Sequence, residues 1–95
     1  MDSLNLLFSK QIWLEDKRSM ILKYFLIEKI QETNVLPLYG VQISKYDGDT
    51  IESDDVNGIS HSKETVISII KRLFQHEVTP ISMVEIIDDF VTQGI

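Results

Sequence analysis

Residues 62–91, SKETVISIIKRLFQHEVTPISMVEIIDDFV, decide the fold. Val66, Ile69, Ile70, Leu73 and Phe74 recur at helical spacing, and Met83, Val84, Ile86, Ile87, Phe90 and Val91 repeat the pattern after a short interval. Each set draws an apolar stripe too wide to leave in water, so both predicted helices must pack on another surface. Ser60 or Ser62 can cap the first helix, with Glu64 in its first turn and Lys71 and Arg72 near its end, where the helix dipole favours each charge. Thr79 ahead of Pro80 suits the start of the second helix, and Ser82 with Glu85 matches the capping-box spacing less than a turn later. Gly94 is a natural stop.

The surface those helices need is predicted upstream. Leu6 to Leu14 reads as a strand in which Leu6, Phe8, Ile12 and Leu14 share one parity, and Trp13 points the other way. Glu15 to Arg18 is a short charged connection suited to a hairpin. Met20 to Ile30 is apolar on both parities, with Met20, Leu22, Tyr24 and Leu26 on one side and Ile21, Phe25 and Ile27 on the other. Its aromatic and β-branched content favours a strand over the competing helix. Gln31 to Asn34 is a polar break, and Val35 to Tyr46 alternates again, with Pro37 near its start. Gly40 marks a bulge or a place where a ring covers the backbone. Asp47-Gly48-Asp49 signals a turn, Thr50 to Val56 a short acidic edge strand, and Asn57-Gly58 another turn. Four strands and then two helices predict an α+β domain: a four-stranded antiparallel sheet, meander-like, followed by two C-terminal helices packed on one face. A single domain over 1–95 is expected, strands in 1–58 and helices in 59–95.

Forty-three per cent apolar residues can build a core, and the chain has no cysteine, which removes disulfides and thiolate chemistry and suits a reducing, cytoplasmic interior. No stretch approaches the roughly 20 apolar residues of a membrane span, and the first residues lack the basic start of a secretory signal. Residues 1–34 carry five basic and five acidic groups, whereas 35–95 carry four basic and ten acidic, so the net charge of −6 lies in the second part. Asp47, Asp49, Glu52, Asp54 and Asp55 form one run with no basic residue among them. A solvated edge is the ordinary reading, and a surface that meets a basic partner is the sharper one. Direct nucleic-acid binding needs a basic face, and the second helix carries Glu85, Asp88 and Asp89 with no Lys or Arg, which argues against a helix-turn-helix reader.

Those three helix acids share a face and supply hard oxygen atoms, but no partner helix offers matching ligands, so solvation accounts for them. The Asp47 segment places glycine at the second position, where a calcium loop of the EF-hand type needs it at the sixth. His61 and His76 both fall at helix ends, where a capping contact explains them. No nucleophile elbow, phosphate loop or dinucleotide fingerprint is present, and no nucleophile, base and oxyanion donor assemble into a catalytic set. Neither a cofactor nor a metal is expected. Trp13, Ile21, Phe25 and Ile27 remain as a second apolar face that the two helices cannot also cover; a flanking segment over Trp13 is the ordinary reading, and a candidate interface made by these four residues is the sharper one.

Tyr39-Gly40-Val41-Gln42-Ile43, Gly58-Ile59-Ser60 and the closing segment from Val78-Thr79-Pro80 to Phe90 resemble a small family of short proteins from clostridia and related Gram-positive bacteria. The similarity spans roughly residues 6–91, and the closing helix is its most specific part. The family has no assigned activity, so the resemblance transfers no catalytic residue. It implies a stand-alone bacterial domain in a regulatory or mobile-element setting. The expected function is therefore a non-enzymatic interaction or regulatory protein that meets a protein partner or a second copy through its apolar sheet face. The alternative is an acidic inhibitor that mimics nucleic acid and fills a basic groove on an enzyme.

Overall fold

The computed structural model describes residues 2–30 and 36–93. Four strands, β1 (Asp2–Trp13), β2 (Ser19–Lys29), β3 (Leu38–Asp47) and β4 (Thr50–Ser60), precede two helices, α1 (Lys63–Gln75) and α2 (Pro80–Thr92). The strands pair antiparallel in the order β1-β2-β3-β4, a meander, and both helices pack on one face of the sheet. The α+β architecture read from the sequence is the one observed. Gln31 to Val35, expected as a polar break and a strand start, and the Gly94 stop lie outside the described residues; α2 ends in a cap at Gln93.

The turns follow from local chemistry. Between β1 and β2, Lys17 N–H donates to the Leu14 carbonyl (3.1 Å) and Leu14 N–H to the Arg18 carbonyl (2.8 Å), with Lys17 in the left-handed region at φ 69°. This is a three-residue hairpin loop closed by a left-handed residue. Asp16 accepts from the Arg18 side chain at 2.6 Å, and that hydrogen bond holds its carboxyl below the usual range. Between β3 and β4, Asp47 faces Thr50 across a two-residue turn whose first central residue is Gly48 at φ 61°, the position where such a hairpin requires glycine.

The helix side of the sheet is fixed by register. Leu22, Tyr24 and Leu26 of β2 and Val41 and Ile43 of β3 are buried there against Val66, Ile69, Ile70 and Leu73 of α1 and Met83 and Ile87 of α2. Phe8 of β1 stacks on Phe74 of α1 (ring centroids 4.6 Å apart), and Tyr24 meets the edge of the same ring at 5.8 Å. Such pairs add roughly 0.5–1.5 kcal/mol beyond the area they bury. Val84 and Val91, counted in the α2 stripe by spacing, are exposed instead, because the buried arc of α2 is centred on Met83 and Ile87 and leaves both on its flank.

Two further features differ from the sequence reading. A bulge between Leu6 and Phe8 opposes Leu6 to Phe25 but Phe8 to Tyr24, so the two residues of equal parity lie on opposite faces. Asn57-Gly58 is no turn. β4 continues through it to Ser60, with an irregularity in the β3–β4 pairing between Tyr39 and Val41, so strand structure passes residue 58. α1 closes without a glycine. Val78 N–H bonds the Leu73 carbonyl (3.0 Å) and Glu77 N–H the Phe74 carbonyl (3.1 Å), with Glu77 itself left-handed at φ 53°. That pattern is a Schellman cap, and buried Val78 beside Leu73 supplies its apolar contact.

The tyrosine hydroxyl of Tyr24 reaches across the core and donates to the Val78 carbonyl at 2.9 Å, which pins the α1–α2 connection to β2. Burial, with the Glu77 charge in support, pushes its pKa well up, so the donor proton is held. Tyr24→Phe leaves that carbonyl without its donor. The expected result is a loss of about 1–3 kcal/mol with the fold retained, read from the urea midpoint at unchanged m-value.

Candidate functional site

Cross-strand pairs place the residues of the outer face, the side opposite the helices, in rows. Leu4 faces Ile27, which faces Gly40; Leu6 faces Phe25, which faces Gln42 and then Asp55. The next row is Ser9, Lys23, Ser44 and Ser53, and after it Gln11, Ile21, Tyr46 and Ile51, with Trp13 opposite Ser19 beyond. All four candidate interface residues, Trp13, Ile21, Phe25 and Ile27, therefore lie on the outer face, but they form two groups. Phe25 and Ile27 join Leu4 and Leu6 at one end, and Ile21 and Trp13 lie with Tyr46 and Ile51 at the other.

Between the two groups runs a polar row. The Ser44 and Ser53 hydroxyls hydrogen-bond at 2.8 Å, and the Lys23 ammonium sits 5.0 Å from the centre of the Tyr46 ring. Exposure differs sharply within the set. Trp13 is 69% exposed and Leu6 50%, whereas Ile27 is only 6% exposed and Phe25 is half-buried. Ile27 is thus largely covered by its own sheet, and a partner would meet Trp13, Leu4, Leu6 and Ile51 first. Leu6 escaped the sequence reading because the bulge inverts parity between Leu6 and Phe8, and Leu4 because β1 begins at Asp2, ahead of the strand read from Leu6. Tyr46 and Ile51 carried the period-2 signal that could have found them.

The acidic run does not form one surface. Alternation in β4 turns Glu52 and Asp54 to the helix side and Asp55 to the outer face, while Asp49 sits in the turn. Asp47 lies 3.7 Å from the Arg18 guanidinium and Glu52 3.4 Å from the Lys45 ammonium. Glu85, Asp88 and Asp89 are exposed on α2. Among them Asp88 borders a cleft between α2 and the end of β4, which Val56, Asn57, Ile59, Ile87 and Val91 also line.

His61 bonds the Pro37 carbonyl through Nδ1 at 3.0 Å, and His76 is the C-cap residue of α1. Among the described residues, no three or more His, Asp or Glu side chains converge as a metal site would need, and no helix is long and apolar enough to cross a membrane. No buried side-chain nitrogen or oxygen among them lacks a hydrogen-bond partner.

Residues 3–93 match the family of unknown function DUF6514, which covers nearly the whole chain. The protein belongs to that family. No curated protein and no solved structure matches it.

Proposed function

We propose that this member of the DUF6514 family acts by protein–protein contact in the cytoplasm, as a homodimer joined through the outer faces of two sheets, and not by catalysis. The observation that carries the reading is the open sheet face, where two apolar groups flank one polar row. Strands spaced about 4.8 Å apart and about 35 Å long give this face roughly 600 Å². That approaches the ~800 Å² per partner of a standard stable interface.

The layout is also self-complementary along β2. Consider a two-fold axis that lies across the strands between the Phe25 and Lys23 rows. It sets the ammonium of Lys23 over Phe25 of the other copy and Ile21 against the end of the face that holds Ile27. Each contact then occurs twice, as a closed dimer requires, and Lys23 gains a desolvated aromatic partner. The acidic-inhibitor alternative draws less support, since it asks for one continuous acidic surface and the carboxylates are divided between two faces, a turn and a helix.

Light scattering tests the dimer. The expected mass is twice the 11.0 kDa of one chain. Trp13→Ser combined with Phe25→Ser should return the mass of one chain with an unchanged far-ultraviolet circular dichroism spectrum. A wild-type protein that stays at the single-chain mass through about 100 μM, well above the micromolar range of weak complexes, overturns the reading. So does a double variant that remains dimeric. A salt series adds a second check, because apolar contact should persist where exposed charge pairs are screened.

A further inference from the structure

The outer face leaves a second surface unused. β4 pairs with β3 alone and forms one edge of the described sheet. From Thr50 to Asp55 all its residues are exposed, and its far half runs into the cleft under α2. An edge strand turns alternate backbone N–H and C=O groups outward, ready for another strand to pair with. We propose that the stretch Ile51 to Val56, with the adjoining cleft, takes an extended peptide segment bearing lysine or arginine, which adds to the sheet as a fifth strand.

Charge selects that occupant. Among residues 50–60 there are three carboxylates and no basic side chain, and only Glu52 has a cross-strand cation in Lys45. A second copy of β4 laid alongside would oppose like charges, which destabilises a strand pair. The same charges favour a cationic strand. The opposite edge, β1, lacks this bias: its charged residues are Asp2 and Lys10.

Alternation then specifies the segment. Glu52, Asp54 and Val56 face the helix side, so successive inward side chains of an added strand meet two carboxylates and then the apolar cleft. Asp88 on the cleft wall adds a third negative group near the same line. The occupant, running antiparallel to β4, therefore carries an apolar residue that enters between Ile59, Ile87 and Val91, followed by basic residues two and four positions later. The site lies on an edge of the sheet, so it stands or falls independently of the dimer.

A fluorescein-labelled peptide, Val-Lys-Arg-Thr-Arg-Val with blocked ends, tests this on the full chain by fluorescence anisotropy. Saturable binding is expected, with the amides of residues 51–56 slowed in hydrogen exchange. Asp54→Arg and Asp88→Arg, both at exposed positions, should each weaken binding about tenfold or more, equivalent to about 1.4 kcal/mol. The same peptide N-methylated at alternate residues keeps its charge but cannot complete a ladder, and should not bind. Absence of saturable binding by the unmodified peptide overturns the proposal. Equal affinity for the N-methylated peptide, or for one with glutamate in place of its basic residues, also overturns it.

Discussion

Ile70→Ala is expected to lower the unfolding free energy by about 2–5 kcal/mol, the range for removing a large aliphatic side chain from a packed interior. Ile70 is wholly inaccessible and lies in the cluster that joins α1 to β2 and β3. Its removal opens space that the rest of the cluster cannot fill without leaving its rotamers. A domain of this size is stable by roughly 5–15 kcal/mol in all, so the variant should melt many degrees lower. Ile81→Ala is the matched control. Ile81 is 87% exposed on α2, and its truncation should stay within about 0.5 kcal/mol of wild type. Denaturant titration of both variants measures the contrast. Equal costs would mean that α1 does not bury the stripe described above.

Gly40→Ala should be nearly as damaging, for the opposite reason. A Cβ at this position overlaps the Val56 carbonyl oxygen and comes within 3.0 Å of the Asn57 Cα. Both are backbone atoms, so no side chain can swing aside, and β4 itself must move. The expected loss is about 3 kcal/mol, at the upper end of overpacking costs. The disturbance would centre on the β3–β4 pairing, where the register already shifts. Hydrogen exchange on the variant should show the amides of residues 54–60 losing protection ahead of those in β1 and β2. Unchanged stability in this variant would mean that the two strands do not approach so closely.

The helices and most strands were readable because burial imposes a period: 3.6 residues where one stripe meets the sheet, 2 where one strand face does. Val66, Ile69, Ile70 and Leu73 obey the first rule, and Leu22, Tyr24 and Leu26 the second. The misreadings fall where one residue breaks a period. The extra residue near Leu7 inverts the parity of β1, and nothing in the composition of Leu6-Leu7-Phe8 announces it. Asn57-Gly58 carries a strong turn signature, yet β4 absorbs it as a bulge opposite Gly40, with Gly58 left-handed at φ 64°. Glu77 adopts a conformation normally left to glycine, at roughly 1 kcal/mol, since the two carbonyls it helps to satisfy and the burial of Val78 outweigh that strain.

The candidate interface was legible only in part for the same reason. Trp13, Ile21, Phe25 and Ile27 were placed on one side by parity, and they do lie there. Their division into two groups depends on Lys23, Ser44 and Ser53 falling into one row, and that follows from pairing between strands rather than from any one strand. The acidic run likewise looks continuous in the chain, while a pleated backbone sends its neighbours in opposite directions.

Each strand of this sheet finds its partner next door along the chain. Ends that must meet are separated by short spans, so the entropy lost on closing each loop is small. The sheet can zip one hairpin at a time before any distant contact is needed, a topology associated with faster folding than strand orders that interleave. The two helices follow the strands from the ribosome and close over a face whose strand pairs are all local in the chain.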